Sequence, residues 1–154
     1  MNLRLGVPKE PENETRVGIV PSSMKKLLKA GFEVLVEKGA GVSANYSDAD
    51  YEAAGAKIVS RADALACENI VCINFPGIEG ISENTNLACV ADPFRNPEYV
   101  RQCISSNITL MSMDMIPRRL SRAQSMDVNS SQDNLAGYKA CLLYTSDAAD
   151  DNVG

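Results

Sequence analysis

The chain has 154 residues, 45% apolar and 23% charged, which is ordinary globular usage and enough length for one domain with a real core. Its net charge of −5 argues against nucleic acid or anionic membrane surfaces as direct partners, because both need clustered Lys and Arg. No apolar run approaches the ~20 residues that span a bilayer and the N-terminus has no apolar signal region, so a cytosolic setting without membrane insertion is expected.

Taken in order, the pattern alternates strand and helix. Leu3 to Val7 reads as a short apolar strand, the polar stretch 8–16 as a loop, and Val17 to Val20 as extended chain. Pro21-Ser22-Ser23 opens a helix with Ser22 or Ser23 as its N-cap; Met24, Leu27 and Leu28 share one face and Gly31 stops it. Phe32 to Glu37 is a second strand and Gly39 to Val42 a turn. A helix starting at Ser47 is stopped by Gly55. Lys57 to Val59 is a brief strand, Arg61 to Cys67 a helix, and Asn69 to Ile73 a buried strand. Leu87 to Ala91, a helix over Pro97 to Ser105, and Ile108 to Met113 continue the alternation, and Ser130 to Ala140 is the last helix. Strands separated by short helices predict an α/β fold, a Rossmann-like or flavodoxin-like parallel sheet with helices on both faces and right-handed crossovers.

Ligands in such folds sit beyond the carboxyl ends of the strands. The loops there would carry Lys9, Glu10, Arg16, Asn74, Asp92, Arg95 and the segment from Asp114 onward. Arg16 could hold a carboxylate or phosphate in bidentate fashion, although a solvated loop explains the same composition. Gly39-Ala40-Gly41 resembles a phosphate turn only superficially, since no third glycine and no long helix follow, and it reads as a tight turn.

The absence of histidine excludes Ser-His-Asp and Cys-His nucleophile systems within the chain. Together with five cysteines and no C-x-x-C pair it leaves no expected metal site. Cys67, Cys72, Cys89, Cys103 and Cys141 are expected to act mostly as small hydrophobes. The densest polar segment, 117–132, holds three arginines and two glutamines after the last strand. Gln and Asp can donate to and accept from an amide, and Arg can place a cation near phosphate or developing charge, so the segment suits a carboxamide-bearing ligand.

Ser-Arg-Ala-Gln-Ser-Met-Asp (121–127), Ser-Ser-Gln (130–132) and Asn-Leu-Ala-Gly-Tyr-Lys-Ala (134–140) resemble the α subunit of proton-translocating nicotinamide nucleotide transhydrogenases. VPKEPENETRVGIVP and GFEVLVEKGAGVSANYSDADYEAAGA are similar to the same family, and alanine dehydrogenases share that N-terminal pattern. The resemblance covers about residues 1–140. It implies the first Rossmann-like subdomain of an NAD(H)-handling domain, which passes hydride between NADH and NADP+ held on a separate domain, coupled to proton movement through membrane subunits. It implies a homodimer of this domain and a place at the inner (plasma) membrane's cytoplasmic side through those partners. Carried over by motif, the catalytic and cofactor-binding loop residues are Arg119, Gln124 and Asp127, with Ser130 near the same cofactor; Pro-Arg-Arg-Leu leaves Arg118 open as the loop arginine.

Alternatives are an alanine dehydrogenase-like NAD-dependent amino-acid dehydrogenase and a non-catalytic α/β binding or dimerisation module. The first is disfavoured because alanine dehydrogenases use a lysine after the fourth strand and a histidine after the fifth, where this chain has Ile73-Asn74-Phe75-Pro76 and Ala91-Asp92-Pro93-Phe94. The family's glycine-rich dinucleotide fingerprint is absent, so weak or no NAD binding by this chain alone is expected. The family-like domain is expected over 1–140, with 141–154 a non-native or poorly ordered tail.

Overall fold

Alternation along the first strand assigns each face of the sheet its cover. In β1 (Leu3–Val7), Leu5 and Val7 enter a core with Met24 and Tyr51, while Gly6 turns to the opposite face. There a Cβ on Gly6 would lie 1.9 Å from the Ala64 carbonyl oxygen, so only glycine admits this approach of helix to strand. The structure, a computed structural model, describes residues 3–117 and 119–150, with side chains to Thr145. The chain divides into two units, Met1–Ser112 and Met113–Gly154.

The first unit is a six-stranded parallel sheet in the order β3-β2-β1-β4-β5-β6, the remaining strands being β2 (Phe32–Glu37), β3 (Lys57–Val59), β4 (Asn69–Asn74), β5 (Asn86–Val90) and β6 (Thr109–Ser112). This is the Rossmann strand order, in which the chain changes direction between β1 and β4. Helices α1 (Met24–Lys29) and α2 (Asp48–Ala53) supply Met24 and Tyr51 to the core on one face. Helices α3 (Arg61–Leu65) and α4 (Pro97–Ser105) supply Leu65 and Cys103 to the other, against Ile70 and Cys72 of β4 and Leu87 and Cys89 of β5. Full burial of side chains such as Met24, Ile70 and Leu87 contributes about 2 kcal/mol each. The α/β prediction with helices on both faces is therefore met.

Local chemistry sets several boundaries. Ser47 and Asp50 form a reciprocal capping box at α2, and Ser60 accepts from the Asp63 N–H at the start of α3. Tyr51 is fully buried; its hydroxyl donates to the Ile19 carbonyl at 2.8 Å, and burial pushes the phenol up to about 12. Cys67, Cys72, Cys89 and Cys103 are buried free thiols, as a hydrophobe role requires, and a hydrogen bond with Cys89 together with burial holds Cys72 far above the usual thiol range.

Other boundaries differ from the sequence expectation. Residues 17–20 pair with no strand; Val17 and Ile19 instead plug the core beside a 3-10 turn, Pro21–Ser23. Neither Ser22 nor Ser23 caps α1: the helix follows the 3-10 turn, and Ser23 is already in the helical region (φ −81°, ψ −17°), where its hydroxyl makes no cap bond. Helix α3 ends at Leu65 rather than Cys67. Residues 75–85 connect β4 to β5 without a helix, burying parts of Ile78 and Ile81 against the second core.

The second unit begins with a 3-10 turn, Met113–Met115, followed by a looped segment with another 3-10 turn at Gln124–Met126. Helix α5 then runs Val128–Asp150, two residues earlier than the sequence suggests and ten beyond Ala140. Residues 141–150 thus continue α5, and residues 151–154 lie outside the described residues.

Candidate functional site

The direction change between β1 and β4 opens a cleft of about 190 Å³, lined by Lys9, Glu10, Arg61, Cys72, Asn74 and Phe75 among others. Open parallel sheets place ligands at this point. Here most of the cleft's polar side chains, the Lys9 ammonium excepted, already have partners among the described residues. Glu10 is 8% exposed, and its carboxylate accepts the N–H groups of Ile73 (2.5 Å) and Asn74 (3.0 Å) and the Asn74 side-chain amide (3.1 Å). The same amide also donates to Glu14 at 3.3 Å.

Arg16 forms the bidentate pair that its sequence position suggested, but with Glu14: Nε to Oε1 is 2.8 Å and Nη2 to Oε2 is 2.7 Å. That guanidinium draws the Glu14 carboxyl down to about 2. On the other flank, the carboxylate of Glu37 at the end of β2 accepts from the Lys9 N–H at 2.7 Å and from Arg61 at 3.0 Å. Asp92, after β5, sits at φ +44° and lies 3.5 Å from the exposed Arg95. Glu37 and Arg61 were not among the sequence candidates. The available signal was position alone, since Glu37 ends β2 and Arg61 opens α3 just beyond β3, both on the carboxyl side of the sheet.

The loop residues lie in the second unit. Arg119 and Gln124 are exposed, and neither side chain is hydrogen-bonded or ion-paired among the described residues. Arg118 lies outside the described residues. Asp127 is 2% exposed and precedes α5 in an extended conformation (φ −76°, ψ 103°). Its Oδ1 accepts the Asn129 N–H at 3.0 Å and its Oδ2 accepts the Ser130 hydroxyl at 2.5 Å. The structure therefore brings Asp127 and Ser130 together, with Gln124 one 3-10 turn upstream.

A dinucleotide needs both a seat for its carboxamide and a cradle for its pyrophosphate. Arg119 and Gln124 have the donors and acceptors that fit the carboxamide end. Among the described residues the glycine pair 39–41 provides no cradle: a Cβ on Gly41 would lie 2.5 Å from the Tyr51 ring, so this glycine serves packing.

With that geometry in place, comparisons give its context. The family model for the alanine dehydrogenase/PNT N-terminal domain matches residues 6–136. A protein named NAD(P) transhydrogenase subunit alpha, from Haemophilus influenzae, is 37% identical over 142 residues, covering 90% of this chain and 28% of the relative. The crystal structure of a transhydrogenase from Sinorhizobium meliloti superposes with a TM-score of 0.86 at 38% identity, covering 90% of this chain and 43% of that one. An alanine dehydrogenase from Staphylococcus epidermidis is 50% identical, but over 60 residues, 38% of this chain and 16% of its own. The chain thus spans less than half the length of each of these proteins.

Proposed function

We propose, from the premise that this chain belongs to the alanine dehydrogenase/PNT N-terminal domain family, that it is part of the NAD(H)-handling domain of a transhydrogenase. The reaction is hydride transfer between NADH and NADP+, coupled to proton translocation. The observation that carries this reading is the pairing of an exposed Arg119 and Gln124 with the Asp127–Ser130 contact, in a loop whose sequence resembles the transhydrogenase loop. The similarity to transhydrogenase α chains over about 90% of the chain supports it. When bound, NADH supplies the hydride from its nicotinamide ring. The protein's role is to fix that ring: Gln124 would donate to and accept from the carboxamide, and Arg119 would set a cation beside it. Asp127 and Ser130 complete the group.

NADP(H) would reside on a partner domain, with a membrane subunit carrying the protons and a homodimer of this domain as the assembly. No helix among the described residues is long and apolar enough to cross a membrane, so attachment to the membrane's cytoplasmic side would run through those partners. The family-like region is taken to cover residues 1–140, in keeping with the family match over residues 6–136.

The shorter match to alanine dehydrogenase supports the competing amino-acid dehydrogenase less well. The ends of β4 and β5 offer Asn74, engaged by Glu10 and Glu14, and Asp92 in place of a lysine and a histidine. Steady-state assay of the full-length protein with its partners tests the choice. NADH-dependent reduction of NADP+ is expected; alanine-dependent NADH formation would overturn the proposal. Calorimetry on the 154-residue chain should give no micromolar NADH binding.

A further inference from the structure

The start of α5 assigns different jobs to residues that the loop motif groups together. Asp127 directly precedes the helix, is extended, and takes the Asn129 N–H on its carboxylate, which is the geometry of an N-cap. Its other oxygen takes the Ser130 hydroxyl, and its carbonyl accepts from the Ser131 hydroxyl at 3.2 Å. At 2% exposure the side chain is turned into the first turn of the helix. From that same turn, Asn129 sends its side-chain amide back to the Asp114 carbonyl at 3.4 Å. The two ends of the loop are thereby tied at one place. Between them successive tight turns run from Pro117 to Leu120 (3.2 Å), Leu120 to Ala123 (2.8 Å) and Ala123 to Met126 (2.9 Å), with Ala123 only 5% exposed. Arg119 and Gln124 project from this framework.

We propose that Asp127 is a positioning residue. Its carboxylate caps α5 with the Ser130 hydroxyl and Asn129 N–H, and Asn129 closes the loop onto Asp114. The groups that meet the nicotinamide carboxamide are then Arg119 and Gln124. This assignment rests on the cofactor reading of the loop given above, but the cap itself is a claim about folding and is tested separately.

A cap tolerates Ser or Asn in place of Asp, and Ala poorly. A carboxylate that touched a cofactor amide could not be replaced by Ser, whose shorter side chain would not reach. In the 154-residue chain, Asp127→Ala should speed amide hydrogen exchange at Asn129 about fivefold, the factor that corresponds to loss of a typical cap. Asp127→Ser should reverse most of that change. In the assembled complex with the full-length subunit, Asp127→Ala should raise the NADH dissociation constant about fivefold, and Asp127→Ser should recover most of the loss. Equal weakening by Ala and Ser overturns the proposal, as does unchanged exchange at Asn129 in Asp127→Ala. If the unsubstituted complex binds no NADH, the cofactor reading fails, while the exchange comparison still decides whether Asp127 holds the loop.

Discussion

At the carboxyl end of β1 and β4, Arg16 meets Glu14 and Glu10 meets three N–H groups, whereas in the second unit the side chains of Arg119 and Gln124 have no hydrogen-bond or ion-pair partner among the described residues. Both regions are polar and both follow strands. In the first, charges and amides are matched to one another and to backbone, so a ligand would have to displace existing bonds to enter. In the second, the acidic group is turned inward as a cap and the cationic and amide groups are left to solvent. Residue type alone does not mark a binding loop; which groups the fold has already satisfied does so better.

The comparison can be broken at its strongest point first. Gly6→Val would force side chain into the Ala64 carbonyl and should cost about 3 kcal/mol by chemical denaturation, with no specific effect on the second unit. Glu10→Ala would leave the Ile73 and Asn74 N–H groups without their carboxylate and should cost about 2 kcal/mol. A neutral result there would mean that the switch-point cleft is not internally matched. Gln124→Ala should leave the denaturation midpoint within about 0.5 kcal/mol, because the side chain is exposed, yet raise the NADH dissociation constant of the complex about tenfold. A stability loss with unchanged affinity would reverse the contrast between the regions.

The smallest effect concerns acid. The Glu14 carboxyl is held down to about 2 by Arg16, so the pair's contribution is complete above the usual carboxyl value near 4.5 and disappears as pH falls toward 2. Because Arg16 is half exposed, about 1 kcal/mol is expected over that window. Urea titrations at about pH 5 and about pH 2.5 should find this difference reduced in Arg16→Ala.

Periodicity made most of the sheet legible. The apolar runs at residues 3–7, 32–37, 69–73 and 87–91 fall on the four central parallel strands, three of them buried on alternate residues and β1 buried throughout Leu5–Val7, and α2 begins where Ser47 marked it. The extended chain at 17–20 did not reveal its role, because Val17 and Ile19 are buried by plugging a core without strand pairing. Of the proposed site, the motif resemblance singled out Gln124, Asp127 and Ser130 but not the directions of their side chains. That Asp127 points into its own helix depends on the helix starting at Val128, and no periodic signal sets that start. The Glu10–Asn74 contact joins residues 64 apart, a distance no local pattern reaches.

The two outer strands carry a consequence for handling the protein. β3 has three residues and β6 four, and β3 begins with Lys57, ion-paired to Glu33 of its neighbour. Short edges and an edge lysine give another chain little backbone on which to add a strand. Concentrated samples of the first unit should therefore resist edge-to-edge β association, and any self-association should spare the amide exchange rates of β3.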